Sequence, residues 1–319
     1  MSSESSTSNL QLAQVYLYRY VGPIFIIIGI VSCVLSLIVF TRKNLRKNTC
    51  SIYFIAFNIA NLLFILVSLL SFTLEIGYNI APALYSLFYC RFRLYFAFFF
   101  NILCPSYLLC ASIDRVLITS FHARIRQIST LRLAYLTIAI QPLFYILILI
   151  VVIFVTNILQ IEPNYFYCYI EPGEFTLILT YISILKEIFI PSLLIIFGFL
   201  SVRNIQAMRR VRIVPVSGSN RVIGGQNSNS MRSRDRQFVL MLIVDIVTYI
   251  LFDFIMPCSL VYEQITKSQT STIAQTQTVY LIKNIAIFSV HIPFCINCYT
   301  HIIVSKTFRN EIKNVLLWK

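Results

Sequence analysis

The architecture follows from residues 90–115, CRFRLYFAFFFNILCPSYLLCASIDR. The segment is apolar for about a membrane thickness, since a helix rising about 1.5 Å per residue over this length crosses a ~30 Å hydrocarbon core with some tilt. It begins at a cysteine and ends at Asp114-Arg115, and Asp114 lies 24 residues after Cys90. The aromatic residues in its middle could occur in any buried helix, so only the residues at its two ends indicate a particular class of membrane protein.

The composition of the whole chain is that of an integral membrane protein. Of 319 residues, 58% are hydrophobic and 12% are charged, whereas soluble domains are about a quarter charged. The apolar runs repeatedly exceed the ~18 residues that a spanning helix needs, and they do not alternate as barrel strands do. They predict an all-α, seven-transmembrane helix bundle with spans near residues 20–41, 51–74, 90–115, 131–156, 176–202, 237–261 and 280–304.

The distribution of basic residues predicts the orientation of these spans. Most of the 26 lysines and arginines fall in the first, third and fifth connections and in the tail. By the positive-inside rule these segments are cytoplasmic, the N-terminus is outside and the C-terminus is inside. The chain then divides into a short polar N-terminus (1–18), a bundle (19–304) with a flexible cytoplasmic loop (203–236), and an amphipathic surface helix with the tail (305–319). A frayed tail is the alternative for the last segment.

The motif Asp114-Arg115-Val116, with its spacing from Cys90, resembles the end of the third helix in rhodopsin-like (class A) G-protein-coupled receptors. That family closes this helix with Asp/Glu-Arg-Tyr and tethers the cysteine at its outer end to the second outer loop. The resemblance covers about residues 20–318. It implies a disulfide between Cys90 and Cys168, and both residues lie on the predicted outer side, where a disulfide persists.

The resemblance also assigns expected roles to residues near the inner face. Arg115 meets the G protein, Asp114 supports it, and a polar group at the start of the sixth span could hold it in the closed bundle, with Asp235 or Gln237 as candidates. The family's Asn-Pro-x-x-Tyr motif places Asn297 and His301 among the coupling and activation residues, and two prolines match the family's helix hinges: Pro191 and Pro257.

Several positions depart from the family pattern. Cys298 and His301 replace the proline and the tyrosine of the last motif, and Ser32-Cys33 stands where Gly-Asn is usual. Asn61, a core polar residue, replaces the aspartate that binds sodium, so sodium regulation is not implied. Tryptophan is absent from the fourth and sixth spans. These variants are typical of a divergent invertebrate peptide-receptor-like branch.

Charged side chains inside the spans indicate where a ligand could bind, because burying a charge in a bilayer is costly and usually functional. The alternative is internal neutralisation, for example of Lys186 by Asp253. Ala97 stands where amine receptors place an aspartate, which argues against a small amine. Glutamates of the outer loop would suit a cationic peptide, although a solvated acidic loop explains them equally. The candidate pocket comprises Glu75, Arg93, Ala97, Phe98, Asn101, Glu187, Tyr262 and Lys283.

No catalytic constellation is found, and we expect a non-enzyme without cofactor or metal. Asp245 and Asp253 are ~12 Å apart along a helix and His291 and His301 ~15 Å apart, too far for either pair to act together. The sequence predicts a plasma-membrane receptor that transmits binding of an extracellular ligand, a peptide by our interpretation, to a heterotrimeric G protein. Its expected partners are the extracellular ligand, the G protein and the lipid bilayer, and no nucleic acid is expected. A seven-span transporter or channel, or a receptor-like protein that does not couple, are the alternatives.

Overall fold

The computed structural model describes residues 12–120, 122–162, 165–170, 173–210, 225–267 and 273–316. Parts of the predicted N-terminus, outer loop, cytoplasmic loop and tail, with Glu171 and Trp318, lie outside them. Within the described residues, seven helices are long and apolar enough to cross a membrane, which confirms the seven-helix prediction. The long helices are α1 (Leu12–Phe40), α2 (Thr49–Gly77), α3 (Leu87–Thr119), α4 (Leu131–Val155), α5 (Glu174–Arg210), α6 (Gly225–Asp253 and Ile255–Lys267), α7 (Ile273–Val304) and α8 (Lys306–Leu316).

Three of the helices begin at polar N-caps that the sequence supplies. Asn48 accepts a hydrogen bond from the Cys50 amide at the start of α2, Ser86 caps α3, and Thr130 caps α4. Each side chain satisfies one of the backbone N–H groups that a helix start leaves without an intrahelical partner. The caps therefore fix where the chain enters the bundle after its connections.

The two predicted hinge prolines differ in their effect on the backbone. Pro257 cannot donate a hydrogen bond to the carbonyl of Asp253, and α6 is interrupted between Asp253 and Ile255. Pro191 lies inside α5, which continues without interruption from Glu174 to Arg210. An interruption of α6 near Pro257 is thus built into the fold, while hinge motion at either proline stays a prediction.

The core of the bundle is centred on α3, which packs against α2, α4 and α5. Aromatic side chains of α1, α2, α6 and α8 form a second dense region at the end where α8 lies, with Phe40 stacked on Phe54 at 4.9 Å between ring centroids. In contrast, only 11% of the apolar window of α4 and 22% of that of α5 are buried. These two helices therefore present most of their apolar surface outward, as expected of lipid-facing helices.

A β-hairpin that the sequence analysis did not predict lies between α4 and α5. Its strands β1 (Thr156–Glu162) and β2 (Tyr165–Ile170) are antiparallel, and Ile158 is paired with Cys168. A disulfide joins Cys90 of α3 to Cys168 with 5.8 Å between the Cα atoms, which confirms the predicted bridge. The hairpin is thereby held over one end of the bundle, opposite to α8.

Several helices extend beyond the bounds expected from the sequence. The first helix begins at Leu12, within the segment expected to be a short polar N-terminus, and Tyr18 is fully buried there because it packs against Phe72 and Phe288. Helices α5 and α6 also extend into the predicted loop 203–236. The predicted surface helix is present as α8, and Phe308 anchors it because its ring is buried against Phe40.

Candidate functional site

The guanidinium of Arg115 is the centre of a network at the α8 end of the bundle. Its side chain is fully buried. Nη2 donates to Asp114 Oδ2 at 2.8 Å and to Asn48 Oδ1 at 2.6 Å, while Nη1 donates to Asp235 Oδ1 at 3.3 Å. The guanidinium also lies 5.6 Å from the centre of the Phe238 ring. One arginine therefore connects α2, α3 and α6 by charge-assisted hydrogen bonds.

Neighbouring hydroxyl groups hold Asp114 in place. Thr49 Oγ1 donates to its Oδ2 at 2.8 Å, and the Ser129 hydroxyl donates to its Oδ1. Asn48 adds a contact of its own, because its Nδ2 donates to Asp235 Oδ1 at 3.4 Å. The sequence analysis missed Asn48, although an asparagine directly before an apolar helical run is a recognisable N-cap signal.

Of the two predicted partners of Arg115 on α6, the structure brings Asp235 to it and not Gln237. The Gln237 side-chain oxygen instead accepts from Ser305 Oγ at 3.0 Å and from the Thr307 amide at 2.5 Å. It therefore stabilises the junction of α7 and α8. The reason is its position on α6, which turns its side chain toward α7 and away from α3.

A second buried polar contact connects α6 to α7. His301 Nε2 lies 2.8 and 3.0 Å from the two carboxylate oxygens of Asp245, and the histidine is fully buried. Rings of Phe40, Phe54 and Phe308 contact the imidazole edge-on. This pair was not predicted, since Asp245 was considered together with the other intramembrane charges and not with His301. An intramembrane aspartate that requires a partner was the available signal.

Asn297 joins a hydrogen-bond network between α1, α2 and α7. Ser32 Oγ donates to Asn297 Oδ1 at 2.7 Å, and Asn297 Nδ2 donates to Asn58 Oδ1 at 3.0 Å. Ser32 also accepts from the Cys298 amide at 3.0 Å, which becomes available as a donor because residue 298 is not proline. Asn61 is fully buried nearby, and its amide has no hydrogen-bond partner among the described residues.

Two of the candidate pocket residues meet at the opposite end of the bundle. Glu75 forms an ion pair with Arg93, whose guanidinium lies 5.0 Å from the centre of the Phe72 ring. Both charged residues line a small cleft beside Tyr89 and the turn at Pro82. Arg93 is only 5% exposed, so this pair is a structural feature of the bundle as well as a part of the cleft.

The other candidate pocket residues do not lie around that cleft. Lys283 pairs with Glu263 at 3.0 Å, and Tyr262 is 39% exposed at the surface of α6. Ala97, Phe98 and Asn101 are partly buried on α3. The predicted pocket is therefore distributed over several places in this arrangement of the helices.

The intramembrane charges separate into two groups. Lys186 Nζ lies 2.5 Å from Glu187 Oε1, and Asp253 faces both residues, so neutralisation of Lys186 by Asp253 alone is not what the structure shows. Asp245 is bound to His301 instead of joining them. A transporter or channel would be favoured if Lys186, Glu187, Asp245 and Asp253 lay together on one polar stripe, and the structure separates Asp245 from the other three. Among the described residues, no group of three metal-binding side chains is present.

The fold and these sites together define a receptor of known architecture. Residues 32–297 match the family model described as 7 transmembrane receptor (rhodopsin family). Because the match spans most of the 319 residues, the chain belongs to the rhodopsin family of seven-transmembrane receptors, and is a multi-pass membrane protein. A search of curated proteins found no match.

Proposed function

We propose that the protein is a G-protein-coupled receptor of the plasma membrane, with α8 in the cytoplasm and the β-hairpin outside. The observation that carries this proposal is the fully buried Arg115, held by two carboxylates and one amide from three helices. A buried guanidinium with several partners is a group that can exchange those partners for others when the helices separate. In the open bundle, Arg115 would be released to contact the G protein.

The closed arrangement depends on two connections to α6. Asp235 links α6 to Arg115 of α3, and Asp245 links it to His301 of α7. An outward movement of α6 would break both connections, while Asn297 continues to tie α7 to α1 and α2. A ligand that binds the open arrangement ten times better shifts the equilibrium by about 1.4 kcal/mol.

For the ligand, we propose a peptide with a cationic group. Glu174, at the start of α5 beside the hairpin, is exposed, and the disulfide to Cys90 keeps the hairpin close to α3. The cleft at Glu75 and Arg93 opens at the same end of the bundle. A peptide could lie along the hairpin edge and reach this cleft. Such a ligand agrees with the peptide-receptor-like branch proposed for the chain.

The coupling function can be tested without a known ligand. Substitution Asp235→Asn removes one of the charges that hold Arg115, and because Asp235 is partly exposed the loss is about 1 kcal/mol. We expect basal guanine-nucleotide exchange on a panel of purified G proteins to rise about fivefold. Arg115→Ala in the same background should abolish the increase.

The matched control is Glu263→Gln, which breaks an ion pair at the opposite end of the bundle. It should leave basal exchange unchanged. Exchange that is insensitive to Asp235→Asn and to Arg115→Ala alike, in protein shown to be folded, would contradict coupling through this network and support a receptor-like protein that does not couple.

A further inference from the structure

A buried cluster in the middle of the bundle contains more acidic than basic groups. We define the α5–α6 cluster as Lys186, Glu187, Tyr249 and Asp253. Lys186 Nζ lies 2.5 Å from Glu187 Oε1 and donates to the backbone carbonyl of Asn101 on α3 at 3.5 Å. Asp253 interacts with both Glu187 and Lys186 and lies beside Tyr249. Glu187 is 5% exposed and Asp253 1% exposed, so the cluster is closed to solvent.

Charge balance distinguishes this cluster from the ion pairs at the hairpin end of the bundle. Arg93 with Glu75, and Lys283 with Glu263, each combine one cation with one carboxylate. The α5–α6 cluster instead has two carboxyl groups for the single ammonium of Lys186. If all three were ionised, one net negative charge would remain in a medium of low dielectric constant, where a charge without a counter-charge is strongly unfavourable.

The hydrogen bonds of the cluster show the same imbalance. Glu187 Oε2 and Asp253 Oδ1 are buried and accept no hydrogen bond within normal geometry among the described residues, and the hydroxyl of Tyr249 beside Asp253 is likewise without a partner there. Two carboxyl groups that face each other in a buried site do not both ionise, and one of them retains a proton that the other can accept. A single proton would therefore supply the missing donor and remove the excess charge.

We propose that Glu187 and Asp253 form a proton-binding site that holds one proton at neutral pH in the closed bundle. The proton comes from water: one carboxylate oxygen gains an O–H bond and hydronium becomes water. The other titratable groups that face the site are Lys186, Cys104 of α3 and Tyr249 of α6.

A metal cation is the less favoured occupant. Among the described residues no group of three or more His, Cys, Asp or Glu side chains could hold a metal ion. Helix α7 contributes a neutral group next to Asp253, since the Ser289 hydroxyl donates to the Phe252 carbonyl on α6. A proton needs neither further ligands nor a cavity.

Both carboxyl groups also occur four residues before a helix proline. Glu187 precedes Pro191, and Asp253 precedes Pro257, so each lies where its helix lacks one backbone hydrogen bond. Helix α6 is interrupted directly after Asp253, whereas α5 continues past Glu187, so the backbone of α6 is the less regular of these two helices. Separation of α5 and α6 at this level would expose the site and release the proton.

The test is infrared spectroscopy of the purified full-length protein in lipid nanodiscs, which detects the carbonyl stretch of a protonated carboxylic acid. In Asp253→Asn, Glu187 remains and is neutralised by Lys186; in Glu187→Gln, Asp253 takes that role. Each single variant should therefore lose the whole signal of one carboxylic acid relative to wild type at pH 7. Lys186→Met should increase the signal. Glu263→Gln, whose carboxylate is already balanced by Lys283, should leave it unchanged.

Each outcome decides the proposal. Retention of the full signal in both Asp253→Asn and Glu187→Gln would overturn it, as would a wild-type protein without a carboxylic-acid band at pH 7. A wild-type band that appears only after sodium is removed would overturn it in favour of a metal cation. If one variant does not fold, the other variant and the wild-type band at pH 7 still decide. The measurement requires neither ligand nor G protein, so its failure is distinct from failure of the proposed coupling.

Discussion

Breaking the buried contact between Asp245 and His301 is expected to destabilise the closed bundle measurably. The substitution Asp245→Asn keeps the size of the side chain and removes its charge. Both residues are almost completely buried, and the imidazole nitrogen contacts both carboxylate oxygens at 2.8 and 3.0 Å. Hydrogen bonds to charged groups contribute about 1.5–3 kcal/mol. We expect Asp245→Asn to cost about 2 kcal/mol.

The same free energy predicts a conformational effect, because the pair connects α6 to α7. If the connection exists only in the closed arrangement, its loss shifts the closed–open equilibrium by the same 2 kcal/mol, or roughly 30-fold. Nitroxide labels on the α8 ends of α2 and α6 would report this shift as a longer distance. Thermal unfolding in nanodiscs would report the loss of stability.

A double-mutant cycle isolates the contribution of the pair. Asp245→Asn, His301→Gln and the double variant should give a coupling energy of about 1.5–3 kcal/mol. The control is Ser68→Ala, which removes a neutral partner from His291, a second buried histidine of α7 with a 3.0 Å contact. This change should cost about 1 kcal/mol and leave the label distance unchanged. Additive effects within about 0.5 kcal/mol in the cycle would refute the reasoning.

Two further predictions concern the hairpin end of the bundle. Cys90→Ser opens a disulfide between residues 78 apart, which by chain entropy contributes about 4.5 kcal/mol, so cell-surface expression and the unfolding temperature should fall. The control Cys258→Ser, at an exposed cysteine, should change neither quantity. A Cys90→Ser protein with unaltered expression and unfolding temperature would argue against the disulfide. Glu75→Gln removes the carboxylate that pairs with the buried Arg93 and should lower the free energy of unfolding by about 3 kcal/mol. Glu263→Gln, whose partner Lys283 is half-exposed, should lower it by less than about 1 kcal/mol. Equal costs would show that burial does not control the strength of these pairs.

The prediction of the seven spans succeeded because it depends on local physics. A run of apolar residues long enough to cross a bilayer must form a helix, since lipid offers no partner for backbone N–H and C=O groups. Each predicted span overlaps one of the seven long helices. The bridge between Cys90 and Cys168 was also predictable, through the resemblance of the α3 segment to a known family.

The boundaries and the hairpin were less accessible because both depend on tertiary packing. Residues 1–11 are polar and Ser-rich, which suggested a free N-terminus up to residue 18, yet Tyr18 is buried and donates to the Asn284 carbonyl of α7 at 2.9 Å. That contact joins residues 266 positions apart, so the local sequence contains no sign of it. The hairpin of β1 and β2 likewise depends on a distant contact, because the disulfide to Cys90 holds it above the bundle.

The sequence by itself determined that this chain crosses a membrane seven times and that Asp114 and Arg115 lie near the inner end of its third helix, because hydrophobic length and a short motif are local properties. Only the tertiary structure decided which polar groups meet: it selected Asp235, and not Gln237, as the partner of Arg115, 120 residues away, and it brought His301 to Asp245, 56 residues away. The physical reason is that ion pairing depends on the rotation and depth of each helix. Packing of the whole bundle sets both, and a buried charge then takes whichever partner that packing brings within hydrogen-bond distance.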